Sequence, residues 1–179
     1  MRFDELKNVC DFNRGQSIVS KDAIVGDIPV ISGGKKPAFY HNQANRPANT
    51  ITVAGSGAYA GYVSFHTIPI FAGDCFSVDI KDDKELNKKY LYYYLSDRQD
   101  LIYNKKTGAG IPHVHGKDIA NFVIPLPSLQ VQETIVSVLD KYNDLCYSLT
   151  NGLPKEIELV SKQYEYYRNK LLSFKEKKL

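Results

Sequence analysis

The sequence predicts an α+β body followed by a long C-terminal helix, and three observations carry that expectation. Short β-rich runs alternate with glycine and proline punctuation over the first 125 residues. One segment in that stretch has helical periodicity behind a capping asparagine. The last third drops the strand pattern and repeats apolar residues at steps of three and four.

In chain order, Phe3, Leu6, Val9 and Cys10 keep a helix-like spacing in a short opening segment that ends near Arg14 and Gly15. Residues 28–32, 50–54, 62–65, 68–71 and 76–80 are strand candidates rich in Ile, Val, Thr, Tyr and Phe. Asn87 is placed to cap a helix reaching about Ile102, with Leu91, Tyr94, Leu95 and Ile102 on one face. A flexible Thr107-Gly108-Ala109-Gly110 loop comes next, then a last strand candidate at 122–126. Ser128 is the expected N-cap of a helix that carries Val131, Ile135, Val138, Leu139, Tyr142 and Leu149 on one face. Asn151 and Gly152 read as a helix stop, and Pro154 as a first-turn residue of the next helix. From there Leu153, Ile157, Val160, Tyr164, Tyr167, Leu171 and Phe174 form an a/d seam. A helix from Pro154 to Lys178 would be roughly 37 Å long, and its seam needs an apolar partner. The expected domains are 1–150 and a helix at 151–179. No tandem repeat is visible.

A chain of 179 residues, 43% apolar and 24% charged, has the composition of an ordinary globular protein. No apolar run approaches the roughly 20 residues of a bilayer-spanning helix, and no signal peptide is read at the start. Three scattered cysteines (Cys10, Cys75 and Cys146) argue against a disulfide framework, so a cytoplasmic location is expected. The net charge is +3. Beyond residue 153 stand seven Lys or Arg against four Glu, which leaves sixteen of each sign in the rest. The body is therefore neutral, and any polyanion site in it must be local, built from clusters such as Lys35–Lys36 and Lys105–Lys106.

Several catalytic readings fail on the residues. Gly55-Ser56-Gly57-Ala58-Tyr59-Ala60 fits G-x-G-x-x-A after a strand, but residues 61–69 read as another strand instead of a phosphate-binding helix. A glycine hairpin or ligand-facing loop fits better. Ser32-Gly33-Gly34-Lys35-Lys36 lacks the spacing of a Walker A loop and the Ser/Thr after its lysine. There is no Asn/Asp-Pro-Pro-Tyr/Phe loop of an amino-methyltransferase, no G-x-S-x-G, H-E-x-x-H or C-x-x-C. His113 and His115 can share one side of a strand, yet no third ligand lies nearby, and no metal site is expected. Asp82, Asp83 and Glu85 read as a solvated turn.

Four blocks together resemble the specificity subunit of type I restriction–modification systems. They are 3–10 (FDELKNVC) with 13–15 (NRG); 28–34 (IPVISGG) with 50–57 (TITVAGSG) and 60–63 (AGYV); 124–132 (IPLPSLQVQ); and 153–157 (LPKEI) with 162–168 (KQYEYYR) and 170–174 (KLLSF). The third looks like the lead-in to the helix that closes a target-recognition domain, with Ser128 where a second proline is common. The last is similar to the family's spacer helix and is the most specific. The resemblance implies a non-catalytic subunit that reads double-stranded DNA. Partner subunits would supply adenine methylation with S-adenosylmethionine and cleavage with ATP and Mg, so no cofactor is expected on this chain. A family member of full length carries two recognition domains and two antiparallel spacer helices. This chain shows one of each and looks like a half subunit. Two copies are then expected to pair through Leu153, Ile157, Val160, Tyr164, Tyr167, Leu171 and Phe174 and to read a bipartite palindrome. The remaining expected partners are the adenine-methyltransferase and restriction subunits.

Resemblance does not assign the DNA contacts. Physical chemistry favours exposed loops that combine glycine, lysine and hydrogen-bonding side chains. One is Gly33, Gly34, Lys35 and Lys36 with Tyr40, His41 and Asn42; another is Ser56 and Tyr59. The third is Lys105, Lys106, Thr107 and Gly108 through His113, His115 and Lys117. The lysines would position phosphates, and His, Asn and Ser would read base edges. A solvated surface is the competing reading for each lysine pair. For the whole chain, the alternatives are a protein-interaction module that uses the heptad helix without DNA, and an inactive half-subunit remnant.

Overall fold

The computed structural model describes residues 2–172. It divides into two compact units at Val136/Ser137. In chain order the first unit holds β1 (Arg2–Glu5), α1 (Leu6–Val9), β2 (Cys10–Arg14), β3 (Ile28–Ile31), β4 (Phe39–His41), β5 (Thr50–Ala54), β6 (Val63–His66), β7 (Phe71–Ala72) and β8 (Cys75–Ile80). It continues with α2 (Lys88–Asp97), α3 (Gln99–Tyr103), α4 (Gly116–Ile119) and β9 (Val123–Leu126), and α5 (Leu129–Leu172) begins in it. This is the expected mixture of helix and strand.

The main sheet is antiparallel, in the order β2-β8-β5-β6. β5 is paired on both edges and buried throughout, so that Thr50 and Thr52 are buried along with Ile51 and Val53 although its sequence alternates polar and apolar residues. A second sheet, β4-β3-β7, includes one parallel pairing, β3 with β7. β1 and β9 make a two-stranded ribbon that joins the two ends of this unit, Arg2 opposite Leu126 and Glu5 opposite Val123.

Asn87 caps α2 as expected, accepting hydrogen bonds from the Lys89 and Tyr90 backbone N–H groups through its side chain. The helix is shorter than the sequence suggests. It ends at Asp97, and a second short helix, α3, carries the pattern on to Tyr103. Leu91, Leu95 and Ile102 are fully buried in the core with Leu6, Ile51, Val53 and Ile124. The tyrosines of α2 complete the ribbon: the Tyr90 hydroxyl donates to the Pro125 carbonyl at 2.9 Å and the Tyr94 hydroxyl to the Val123 carbonyl at 3.0 Å.

Two local expectations need correction. The opening segment is a single helical turn between strands, because Arg2–Glu5 and Cys10–Arg14 each find a distant partner strand and only 6–9 remain helical. The stop at Asn151–Gly152 is not taken, and α5 runs through it and through Pro154. Apolar residues continue at steps of four across the signal (Leu145, Leu149, Leu153, Ile157), and propagation of an established helix is cooperative, which outweighs a local stop. Within the first unit, α5 rests on the core through Gln132 and Val136, whereas Val131 and Ile135, members of the apolar face read from the sequence, are exposed. In the second unit Val138, Leu139 and Tyr142 are also exposed. The side chains of the expected seam, Leu153 through Phe174, lie outside the described residues, as does that of Cys146.

Candidate functional site

Three loops that are far apart in sequence meet beside the β5–β6 turn. The first is that turn itself, residues 55–62. No helix comes after its glycines; β5 and β6 pair as an antiparallel hairpin, and the Gly61 and Ala54 backbones close it with Gly61 N donating to Ala54 O at 2.7 Å. Gly57 has φ +84°, a left-handed conformation that favours glycine. This geometry removes the dinucleotide reading and leaves a glycine hairpin.

The second loop lies after β3. A Cβ on Gly33 would stand 2.4 Å from the carbonyl oxygen of Ser56, so only glycine permits this contact between the loop and the hairpin. Lys35, two residues on, extends its ammonium over the Tyr59 ring (5.2 Å to the centroid) and the Tyr62 ring (5.1 Å). The third loop spans residues 104–115. Its stem is closed by Thr107 and His113, which exchange backbone hydrogen bonds of 3.0 and 2.7 Å. It lies along the hairpin through Gly57 N to Pro112 O and Val114 N to Gly55 O, both 3.0 Å. Lys106 donates to the Ala58 carbonyl at 3.2 Å and sits 4.2 Å over the Tyr103 ring centroid.

Of the residues nominated from sequence, Gly33, Lys35, Ser56, Tyr59, Lys106, Thr107 and His113 are thus brought together. Gly34, Lys36, Lys105 and Lys117 lie on the same loops or their flanks. Tyr40 is exposed on β4 opposite Pro29, in the other sheet, and His41 is buried there, accepting at Nδ1 from the Ile24 backbone N–H at 3.1 Å. His115 has a structural task. Its ring accepts from the Asp118 backbone while the Asp118 carboxylate accepts from His115 N at 2.8 Å, a reciprocal cap of α4. The His113 and His115 rings stack nearly parallel, with centroids 6.2 Å apart.

Behind the stacked rings is a cleft of about 210 Å³ that Arg14 and Asp74 also line. Neither residue stands out in the sequence. The only signals are Arg14 in the Asn-Arg-Gly segment at the end of β2 and Asp74 in the Gly-Asp turn before β8. Ser56 donates its hydroxyl directly to the Asp74 carboxylate. Asp74, which holds the Ser56 hydroxyl, and the two histidines line this cleft without the order of a hydrolytic triad, in which imidazole stands between hydroxyl and carboxylate. Burial pushes the pKa values of Cys10 and Cys75 up to about 12, which keeps them as thiols and not nucleophiles. Among the described residues, no group of three or more His, Cys, Asp or Glu is arranged to hold a metal. What the arrangement offers is a set of ammonium, imidazole and hydroxyl groups for binding anions and polar edges.

Comparison with known proteins gives this fold a family. The model of the type I restriction modification DNA specificity domain matches residues 1–159. The specificity subunit of the Escherichia coli type I restriction enzymes EcoR124I and EcoR124II is 46% identical over 88 residues, 48% of this chain and 22% of that protein. The specificity subunit of the type I restriction enzyme MpnII of Mycoplasma pneumoniae is 28% identical over 183 residues, 95% of this chain and 52% of that one. Among solved structures, the S subunit of a type I restriction–modification system from M. genitalium superposes with a TM-score of 0.74 at 24% identity, covering 95% of this chain and 45% of its own. The HsdS subunit from Thermoanaerobacter tengcongensis gives 0.60 at 24% identity, covering 83% and 38%. These two establish the likeness of fold. The chain spans about half or less of the length of these relatives. With the match extending over most of its residues, the chain belongs to the type I restriction–modification DNA specificity family.

Proposed function

We propose that this chain is a sequence-specific DNA-recognition subunit of a type I restriction–modification complex. It reads double-stranded DNA without catalysing a reaction, and it directs adenine methylation and cleavage by partner subunits. S-adenosylmethionine, ATP and Mg belong to those partners. The observation that carries the reading is the convergence of three distant loops, bearing Lys35, Ser56, Lys106 and His113, around one glycine hairpin in a body of otherwise balanced charge. Such a cluster pairs phosphate-seeking cations with groups able to address base edges. A protein-interaction module using the helix alone gives no reason for it.

The recognition domain is 1–150 in this reading, and 151–179 is a spacer. Two copies pair through their a/d seams with two-fold symmetry and hold two recognition domains a fixed distance apart, so the target is a bipartite palindrome with a non-specific spacer. The exposed apolar side chains of α5, from Val131 to Tyr142, support a helix that is completed by another chain. The decisive experiment is co-expression with an adenine-methyltransferase subunit of a type I system, then mapping of methylated adenines in genomic DNA. A methylated split palindrome that vanishes when this chain is omitted is expected. Copurification with methylation independent of this chain would refute the proposal.

A further inference from the structure

Lys35 and Lys106 reach the same turn from loops about 70 residues apart, and both are held there by tyrosines. Lys35 lies over Tyr59 and Tyr62, and Lys106 lies over Tyr103 while touching Ala58, the residue next to Tyr59. Their sequence neighbours Lys36 and Lys105 make no ring contact of this kind among the described residues. Each pair therefore contains one lysine that is seated and one that is not.

We infer that Lys35 and Lys106 form a single clamp for a DNA backbone phosphate at the 58–62 turn, with Tyr62 and Tyr103 as positioning residues that hold the two ammonium groups ready. The inference rests on the DNA-binding reading of this chain. An aromatic face attracts a cation through its quadrupole without consuming an N–H donor. An ammonium has three donors, and Lys106 directs one of them to Ala58, so both groups keep donors for a phosphate oxygen. A free lysine loses rotamer freedom when it grips a phosphate; a lysine already seated on a ring has lost part of it before binding. The tyrosines thus raise affinity without touching DNA, and they bear on every sequence alike.

The test is a salt titration of full-length chain against a mixed-sequence DNA duplex, read by fluorescence anisotropy, with melting by circular dichroism as the check on folding. Lys35→Ala and Lys106→Ala are each expected to reduce the steepness of log K against log salt by about 0.9, the value for one lost phosphate contact. Lys36→Ala and Lys105→Ala are expected to change it by less than half as much. Tyr62→Leu and Tyr103→Leu are expected to weaken binding about two- to fivefold with the slope kept, and Tyr62→Phe and Tyr103→Phe to bind as the parent does. Equal slopes for all four lysine variants would overturn the clamp, as would parental affinity in both leucine variants. If the leucine variants do not fold, the lysine contrast decides alone. Failure of the parent chain to bind duplex even at low salt would overturn the DNA-binding reading and the clamp together. Parental binding with unchanged slopes in Lys35→Ala and Lys106→Ala would overturn the clamp only.

Discussion

Cys10 and Cys75 are buried thiols whose protons are held by the cost of placing a thiolate in an apolar site. Alkylation at mildly alkaline pH should leave the peptides containing both residues unmodified in the native protein and modify them after denaturation, as mass spectrometry will show. His66 carries a second consequence of burial. Its imidazole lies 2.8 Å from the Thr52 hydroxyl, and desolvation lowers its pKa below the ordinary 6.5. The unfolded chain therefore takes up the proton more readily than the folded one. The associated stability is complete above pH 6.5 and is lost as the pH falls from there through the folded-state value. The melting temperature is expected to decline as the pH falls below about 6.5, with a smaller decline in His66→Gln. At this scale the sequence was informative about residue type and silent about environment: nothing in Thr52 or Asp74 marks the partner it holds.

At the scale of elements, the start of α5 is set by one fully buried side chain. Gln132 Nε2 donates to the carbonyls of Glu85 and Pro127, both at 2.9 Å, and Oε1 accepts from Asn87 N at 2.8 Å. One amide thereby ties β9, α5 and the capping residue of α2 together. Gln132→Leu strips three backbone groups of their partner and should cost about 3 kcal/mol in urea unfolding. Asn87→Ala, which removes only the side-chain cap, should cost about 1 kcal/mol. A ratio near one between the two would refute the junction. The cap at Asn87 was legible because capping chemistry is local. The role of Gln132 was not, since a glutamine on a helix reads as solvent-facing until its neighbours are known.

Across the whole molecule, a net charge of +3 gives little long-range attraction for a polyanion, so affinity must come from placed cations and from multivalency. Pairing of two copies would supply the second set of contacts without new chemistry. The purified chain is expected to sediment as a dimer at micromolar concentration. Tyr164→Glu combined with Leu171→Glu should sediment as a monomer while the melting transition of the body is unchanged. A parent chain that sediments as a monomer, or a charged variant that remains dimeric, would remove the seam from the assembly.

The family, the positions of β5 and β8, the start of α2, the lack of familiar catalytic motifs and the heptad pattern of the tail were all legible in the amino-acid string. Each of these depends on residues close together in the chain, or on a motif that is read as a string. Folding in three dimensions was needed to settle that 2–5 pairs with 123–126, that 10–14 is a strand against 76–80, and that the loops of Lys35, Ser56 and Lys106 meet at one turn. Strand pairing and loop convergence are satisfied by partners tens of residues away, and local periodicity carries no record of which partner is chosen. The same holds within each lysine pair, where identical neighbours in sequence are separated by whether a tyrosine ring lies beneath them.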